Sequence, residues 1–222
     1  MPFGRDRLYL ALYARGGRSK MQGGEDAYFW AFIVGPKSEG AGAARPTRGT
    51  RFAARQILER VDAGAIGSDS DSSSDSSSSS TIVVRPRWVF EECQVIVAPE
   101  SMILVRLLVG KVQDMARLRR AFRNTPVPQD VSVGCGCGGD GGKGLGGEDW
   151  NWVAWARAAL GEASRDGRAL GRSAVTEWEA LRGKAMEYVE AKKAAHRFDG
   201  TADFTLEGIP TWDMIRGLET WP

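Results

Sequence analysis

Apolar residues along this chain come first as short runs stopped by glycine and later at helical spacing. Leu8 to Ala14 (LYLALYA) predicts a short, largely buried strand ended by Gly16-Gly17. Tyr28 to Val34 (YFWAFIV) is aromatic and β-branched and predicts a second strand, stopped by Gly35-Pro36. Residues 38–50 are small and polar and read as a loop. Thr50 to Leu58 reads as a third strand with Phe52, Ala54 and Gln56 on one face, and Trp88–Val97 and Ile103–Val109 read as two more. Helical spacing then takes over. Val112, Met115, Leu118 and Phe122 form an apolar stripe on a helix predicted over Val112–Phe122. A second helix, Trp150–Ala163, carries Trp152, Trp155, Ala156, Ala159 and Leu160 on one side, with Asp149 or Asn151 as its N-cap. A third spans Ser173–His196, with Trp178, Leu181, Ala185 and Tyr188 inward and Lys192-Lys193 where the helix dipole favours cations. The tail from Asp199 to Pro222 is mixed, and Trp212 and Trp221 are expected to dock it on the body.

Two segments break this pattern. Ser68–Ser80 (SDSDSSSDSSSSS) has too little apolar surface to offset its ordering entropy and reads as a disordered Ser/Asp-rich insertion over 68–80. Ser68 and Ser72 each precede an aspartate by three residues, a layout that acidic-directed kinases favour, so the loop is either a plain spacer or a phosphorylated anionic tether. Gly134–Gly147 (GCGCGGDGGKGLGG) reads as a flexible insertion over 134–147. Its glycines have nucleotide-loop spacing but lack the Lys-Ser/Thr ending.

A length of 222 residues with 42% hydrophobic positions and eight tryptophans fits a single domain, 1–222, with ample core. A net charge of +2 supplies no strong field towards nucleic acid or anionic membrane. Arg117, Arg119, Arg120 and Arg123 crowd one helix, but without interleaved aromatics they read as a solvated face before a phosphate grip. No signal peptide and no membrane span are apparent; a span needs about 20 apolar residues. Three cysteines suggest no disulfide scaffold, and a reducing, cytoplasmic setting is expected. Cys135 and Cys137 lack both the spacing and the second ligand pair of a zinc site, so no metal and no cofactor are expected. His196 is the only histidine, which restricts general-base chemistry from the outset.

The strand Tyr28–Lys37 (YFWAFIVGPK), the helix opening Trp150–Trp155 (WNWVAW), the segment Asp166–Gly171 (DGRALG) and the segment His196–Gly200 (HRFDG) together resemble a family of uncharacterised fungal proteins, from about Leu8 to about Trp212 apart from the two insertions. Members usually read YHWAFIVGPK in the strand, RYHAKN in the next and NCVxWV at the helix start. That arrangement is similar to the permuted papain-like fold of the lecithin:retinol acyltransferase and NlpC type. The resemblance implies an α+β fold, a small antiparallel β-sheet or half-barrel packed against about three helices. It also implies a strand histidine as base, a second strand histidine to orient it, and a cysteine nucleophile at a helix N-terminus, whose dipole lowers the thiol pKa. Carried over position by position, these roles fall on Phe29, Ala53 and Trp152, none of which can perform them.

The resemblance therefore implies a catalytically inactive relative of thiol hydrolases and acyltransferases, and the reading leans away from an enzyme. The former cleft would be lined by Phe29, Trp30, Trp152 and Trp155, either collapsed as core or open to a protein or apolar small-molecule ligand; the partner itself is unknown. The alternative is a residual thiol hydrolase or acyltransferase using a displaced cysteine: Cys93, Cys135 or Cys137. Against Cys93 stand Glu91 and Glu92, two carboxylates expected to raise its thiol pKa. His196 is expected to hydrogen-bond terminal carbonyls of its helix or to pack between helix and tail.

Overall fold

The computed structural model of the chain describes residues 6–36, 47–62, 82–98, 101–128, 150–201 and 208–221. Its elements are β1 (Asp6–Ala14), β2 (Tyr28–Pro36), β3 (Arg48–Asp62), β4 (Ile82–Ile96), β5 (Ile103–Lys111), α1 (Met115–Asn124), α2 (Trp152–Asp166), α3 (Trp178–Ala194), β6 (Thr211–Asp213) and β7 (Leu218–Trp221). The strands form one seven-stranded sheet in the order β4-β3-β2-β1-β5-β6-β7. Both insertions, with Ser68, Ser72, Cys135 and Cys137, lie outside the described residues.

The near-continuous apolar run of β1 has a direct cause: the strand is central and covered on both faces. Leu8, Leu10 and Leu12 share one face with Trp30, Phe32, Phe52, Leu107 and Val109, and the helices pack there to form the main core. Ala11 and Tyr13 turn to the other face and join Ala31, Ile33, Ala53, Val97, Ile103 and Ile209 in a second, smaller cluster. The expected α+β class holds. The expected small antiparallel sheet does not: β6 runs parallel to β5, so the sheet is mixed, and β6 and β7 enlarge it. Strands of three and four residues are too short to show alternation, which is why the tail read as mixed. Trp212 does dock it, with its ring 5.8 Å from that of Tyr188.

β2 and β3 pair through Phe32–Phe52, Ile33–Arg51 and Val34–Thr50 only, whereas β3 and β4 stay in register from Arg48–Ile96 to Asp62–Ile82. The outer half of the β3–β4 ribbon therefore leaves the sheet, and Leu58, Ile82 and Val84 on it are exposed.

Helix boundaries differ from the expected ones at identifiable caps. α1 begins at Met115, not Val112, because the Asp114 side chain accepts from the Arg117 N–H (3.0 Å), while Val112 bridges to Leu170. α2 is capped by Asn151, whose Oδ1 accepts from the N–H groups of Val153 (2.9 Å) and Ala154 (3.2 Å). α3 begins at Trp178, not Ser173. The preceding segment is pinned to β5 by the Val175 N–H on the Val109 carbonyl (2.9 Å), and the Glu177 carboxylate caps the first turn.

α3 ends in a Schellman motif: the His196 N–H donates to Lys193 O (2.9 Å) and the Arg197 N–H to Lys192 O (3.0 Å). His196 occupies the left-handed position of that motif, with φ of 60°. Here the expectation needs correcting, since it is the backbone of His196 that caps the helix. Its ring is exposed and bonds to Asp199 (Nδ1 to Oδ2 2.7 Å). Bonds from Thr201, then from His196, hold the Asp199 carboxyl down at about 2. Glycine has no Cβ penalty at positive φ. His196→Gly is therefore expected to leave stability unchanged or raise it by up to about 1 kcal/mol, checked by thermal melting; a clear loss would show that the ring contributes more than its geometry suggests.

Candidate functional site

Of the three positions singled out from the sequence, Phe29, Ala53 and Trp152, two touch. Phe29 near the start of β2 and Trp152 at the first residue of α2 meet edge to face with ring centroids 6.0 Å apart. Trp152 also lies 5.7 Å from Trp88 of β4, so the first turn of α2 joins β2 to the ribbon where β2 and β3 part. Ala53 of β3 is fully buried in the same apolar cluster that Phe29 packs against. Trp30 and Trp155 go elsewhere: both are fully buried in the main core, Trp30 against Trp178 and Trp155 against Phe32, Phe90 and Phe122. The four aromatic side chains thus do not line one open cleft.

Around Phe29 the second face of the sheet carries a set of polar groups that sequence reading missed. The Arg51 guanidinium sits 5.8 Å from the Phe29 ring and 5.5 Å from the Tyr13 ring. It pairs with Glu91 at 2.5 Å, and Arg55 reaches the other oxygen of that carboxylate at 3.1 Å. Arg15 covers Trp152 at 4.6 Å and donates to the Asp26 carbonyl. Tyr13 Oη, Arg51 Nε and Trp152 Nε1 are buried without a hydrogen-bond partner among the described residues. The signal for this group was the alternation of Arg51-Phe52-Ala53, but its meaning depends on the β3–β4 register, which pairs Arg51 with Cys93.

Tyr13 and Cys93 are both shifted towards their neutral forms. Burial pushes the Tyr13 phenol up to about 12, so it stays protonated near neutral pH. Burial, chiefly, also raises the Cys93 thiol; Arg51 opposes that shift and Glu91, 3.8 Å from the sulfur, adds to it. The expected direction stands, but the expected cause was incomplete. Only one of the two carboxylates faces Cys93, because Glu92 turns to the opposite face and binds Arg119 (2.6 Å) and Arg123 (2.8 Å). Arg117 pairs with Asp114 and Asp166, so three of the four α1 arginines have acidic partners. At the start of α2, the Val153 and Ala154 N–H groups, two of those that could hold an oxyanion, already donate to Asn151 Oδ1. Among the described residues no group of three His, Cys, Asp or Glu side chains could hold a metal ion, and no helix is long and apolar enough to cross a membrane.

Residues 5–221 match the model of a family described as a family of unknown function (DUF6914). The chain belongs to that family. No curated protein and no solved structure matches it. Because the match runs over nearly the whole chain, every residue around Phe29, from Tyr13 to Trp152, lies inside the DUF6914 region. The family assignment brings no activity with it, so any function has to be argued from the side chains themselves.

Proposed function

We propose that this DUF6914 chain is a catalytically silent relative of the permuted papain-like hydrolases and acyltransferases, serving as a structural or binding module. One observation carries the reading: the helix-start position Trp152 and the strand position Phe29 pack ring to ring at 6.0 Å, with Ala53 in the cluster that Phe29 borders. The nearness of positions 29 and 152, with 53 in the adjoining cluster, supports carrying the three roles onto this chain. An indole and a phenyl ring then fill the space where a thiol and an imidazole would work. A helix start supplies dipole and free N–H groups to a nucleophile; here Trp152 has no ionisable group to receive them, and two of the N–H groups, Val153 and Ala154, go to Asn151. Cys93 does not replace the missing cysteine, because burial and Glu91 favour the neutral thiol.

The test compares the wild-type chain with a Cys93→Ser/Cys135→Ser/Cys137→Ser variant. Both are expected to hydrolyse acyl thioesters at the same background rate, and thiol-directed acyl probes are expected to label the wild type without saturation. Turnover or saturable labelling that the triple variant abolishes would overturn the proposal in favour of a displaced-cysteine enzyme.

A further inference from the structure

A charged residue in the middle of an apolar strand needs a reason, and Arg106 in Ile103–Val109 (ILVRLLV) is one. It is 6% exposed, on the sheet face away from the helices. Its Nε donates to Thr211 Oγ1 at 2.7 Å and its guanidinium lies 4.7 Å from the Tyr9 ring. Around it opens a groove of about 440 Å³, floored by β1 and β5 and walled by β6, β7 and the turn between them. That volume falls within the range of small-ligand sites, roughly 300–1,000 Å³.

The groove is cationic. Arg7 from β1, Arg106 from β5 and Arg216 from the β6–β7 turn line it, against the single carboxylate of Asp213. Asp213 is itself occupied, since its Oδ1 accepts the N–H groups of Ile215 (2.9 Å) and Arg216 (3.1 Å) and so shapes the turn that presents Arg216. Arg106 is held in the floor by its neighbours. Arg7 and Arg216 differ: neither has a carboxylate partner among the described residues, and Arg7 makes only a 3.3 Å bond to the Asp6 carbonyl. One guanidinium from β1 and one from the β6–β7 turn thus line the same groove, neither paired with a carboxylate among the described residues. Tyr9 and Trp221 add aromatic surface to the same lining.

We infer that this groove binds a small organic phosphate, its oxyanion between Arg7 and Arg216 and its organic part against Tyr9 and Trp221. A guanidinium offers forked donors that match phosphate oxygens, and charge-assisted bonds of this kind are among the stronger ones available to a surface site. A doubly charged phosphate engages both arginines, whereas a single carboxylate satisfies one. The site is separate from the Phe29–Trp152 contact, and the inference does not rest on the catalytic silence proposed above.

Calorimetric titration of the full chain with phenyl phosphate and with benzoate, at low ionic strength, tests it. Phenyl phosphate is expected to bind saturably at one site, more tightly than benzoate and more weakly as salt is added. Arg7→Gln and Arg216→Gln are each expected to weaken that binding about tenfold or more while leaving the melting temperature unchanged. Absence of saturable phenyl phosphate binding, equal affinity for benzoate, or affinity untouched by both substitutions would each overturn the assignment.

Discussion

Trp155→Ala is expected to destabilise the protein by about 3–5 kcal/mol, the range for removing a large buried aromatic. The indole is fully buried, and its ring meets Phe32 of β2 (6.3 Å), Phe90 of β4 (6.0 Å) and Phe122 of α1 (6.0 Å). Those three rings belong to three different elements, and Phe122 also stacks on Phe32 at 5.0 Å. Truncation would therefore open a cavity at the point where α2 ties the ribbon, the sheet and α1 together, and neighbours fixed in separate elements cannot collapse to fill it. Urea denaturation followed by far-ultraviolet circular dichroism measures the loss. Trp155→Phe separates packing from polarity. It keeps a ring while removing an indole N–H that is buried without a partner among the described residues, and an unsatisfied buried donor costs about 1–3 kcal/mol. The phenylalanine variant should lose well under half of what the alanine variant loses. Equal losses would mean that the ring contacts are not what holds this junction.

Gly110→Ala is expected to cost about 1–3 kcal/mol, as overpacking of a tight contact does. A Cβ at this position would fall 2.5 Å from the Cβ of Ala174 and 3.0 Å from its Cα. Neither atom can swing aside. The backbone of Ala174 is fixed by its own N–H on the Gly171 carbonyl (2.9 Å) and by the next residue's N–H on the Val109 carbonyl (2.9 Å). The glycine is required here for close approach between β5 and the segment that leads into α3. Ala174→Gly in the Gly110→Ala background should recover part of the loss, because it removes the nearer of the two clashing atoms. A double-mutant cycle read by chemical denaturation gives the coupling; simple additivity of the two changes would exclude a direct clash.

Much of the fold was legible from residue order. β1, β2 and β5 show as apolar runs because each is covered on both faces, and the inward stripe of α3 (Trp178, Leu181, Ala185, Tyr188) is buried as its spacing predicts. Boundaries were less legible where a cap competes with periodicity. Val112 sits on the apolar spacing of α1, yet Asp114 starts the helix three residues later. The α3 start was displaced for a different reason, since the hydrogen bond from Val175 to Val109 that holds the preceding segment extended is long-range and has no local signature. The candidate site was harder still. Phe29 and Trp152 were placed by family pattern, but Arg51, Glu91 and Tyr13 come together only through strand register. The cationic groove had one visible sign, Arg106 inside an apolar run; its other walls come from the turn after β6 and from the opposite end of the chain.

The order of strands in the sheet also bears on how the molecule is made. β1 leaves the ribosome before β2 and well before β5, and in the finished protein it lies between them. Its hairpin with β2 needs only nearby residues, but its other edge stays without a partner until the chain has been extended past Lys111. Through that interval a strand of almost wholly apolar residues presents an open edge, the condition under which chains pair wrongly or aggregate. The β1–β2 hairpin therefore holds an apolar edge that waits about 90 residues of sequence for its partner.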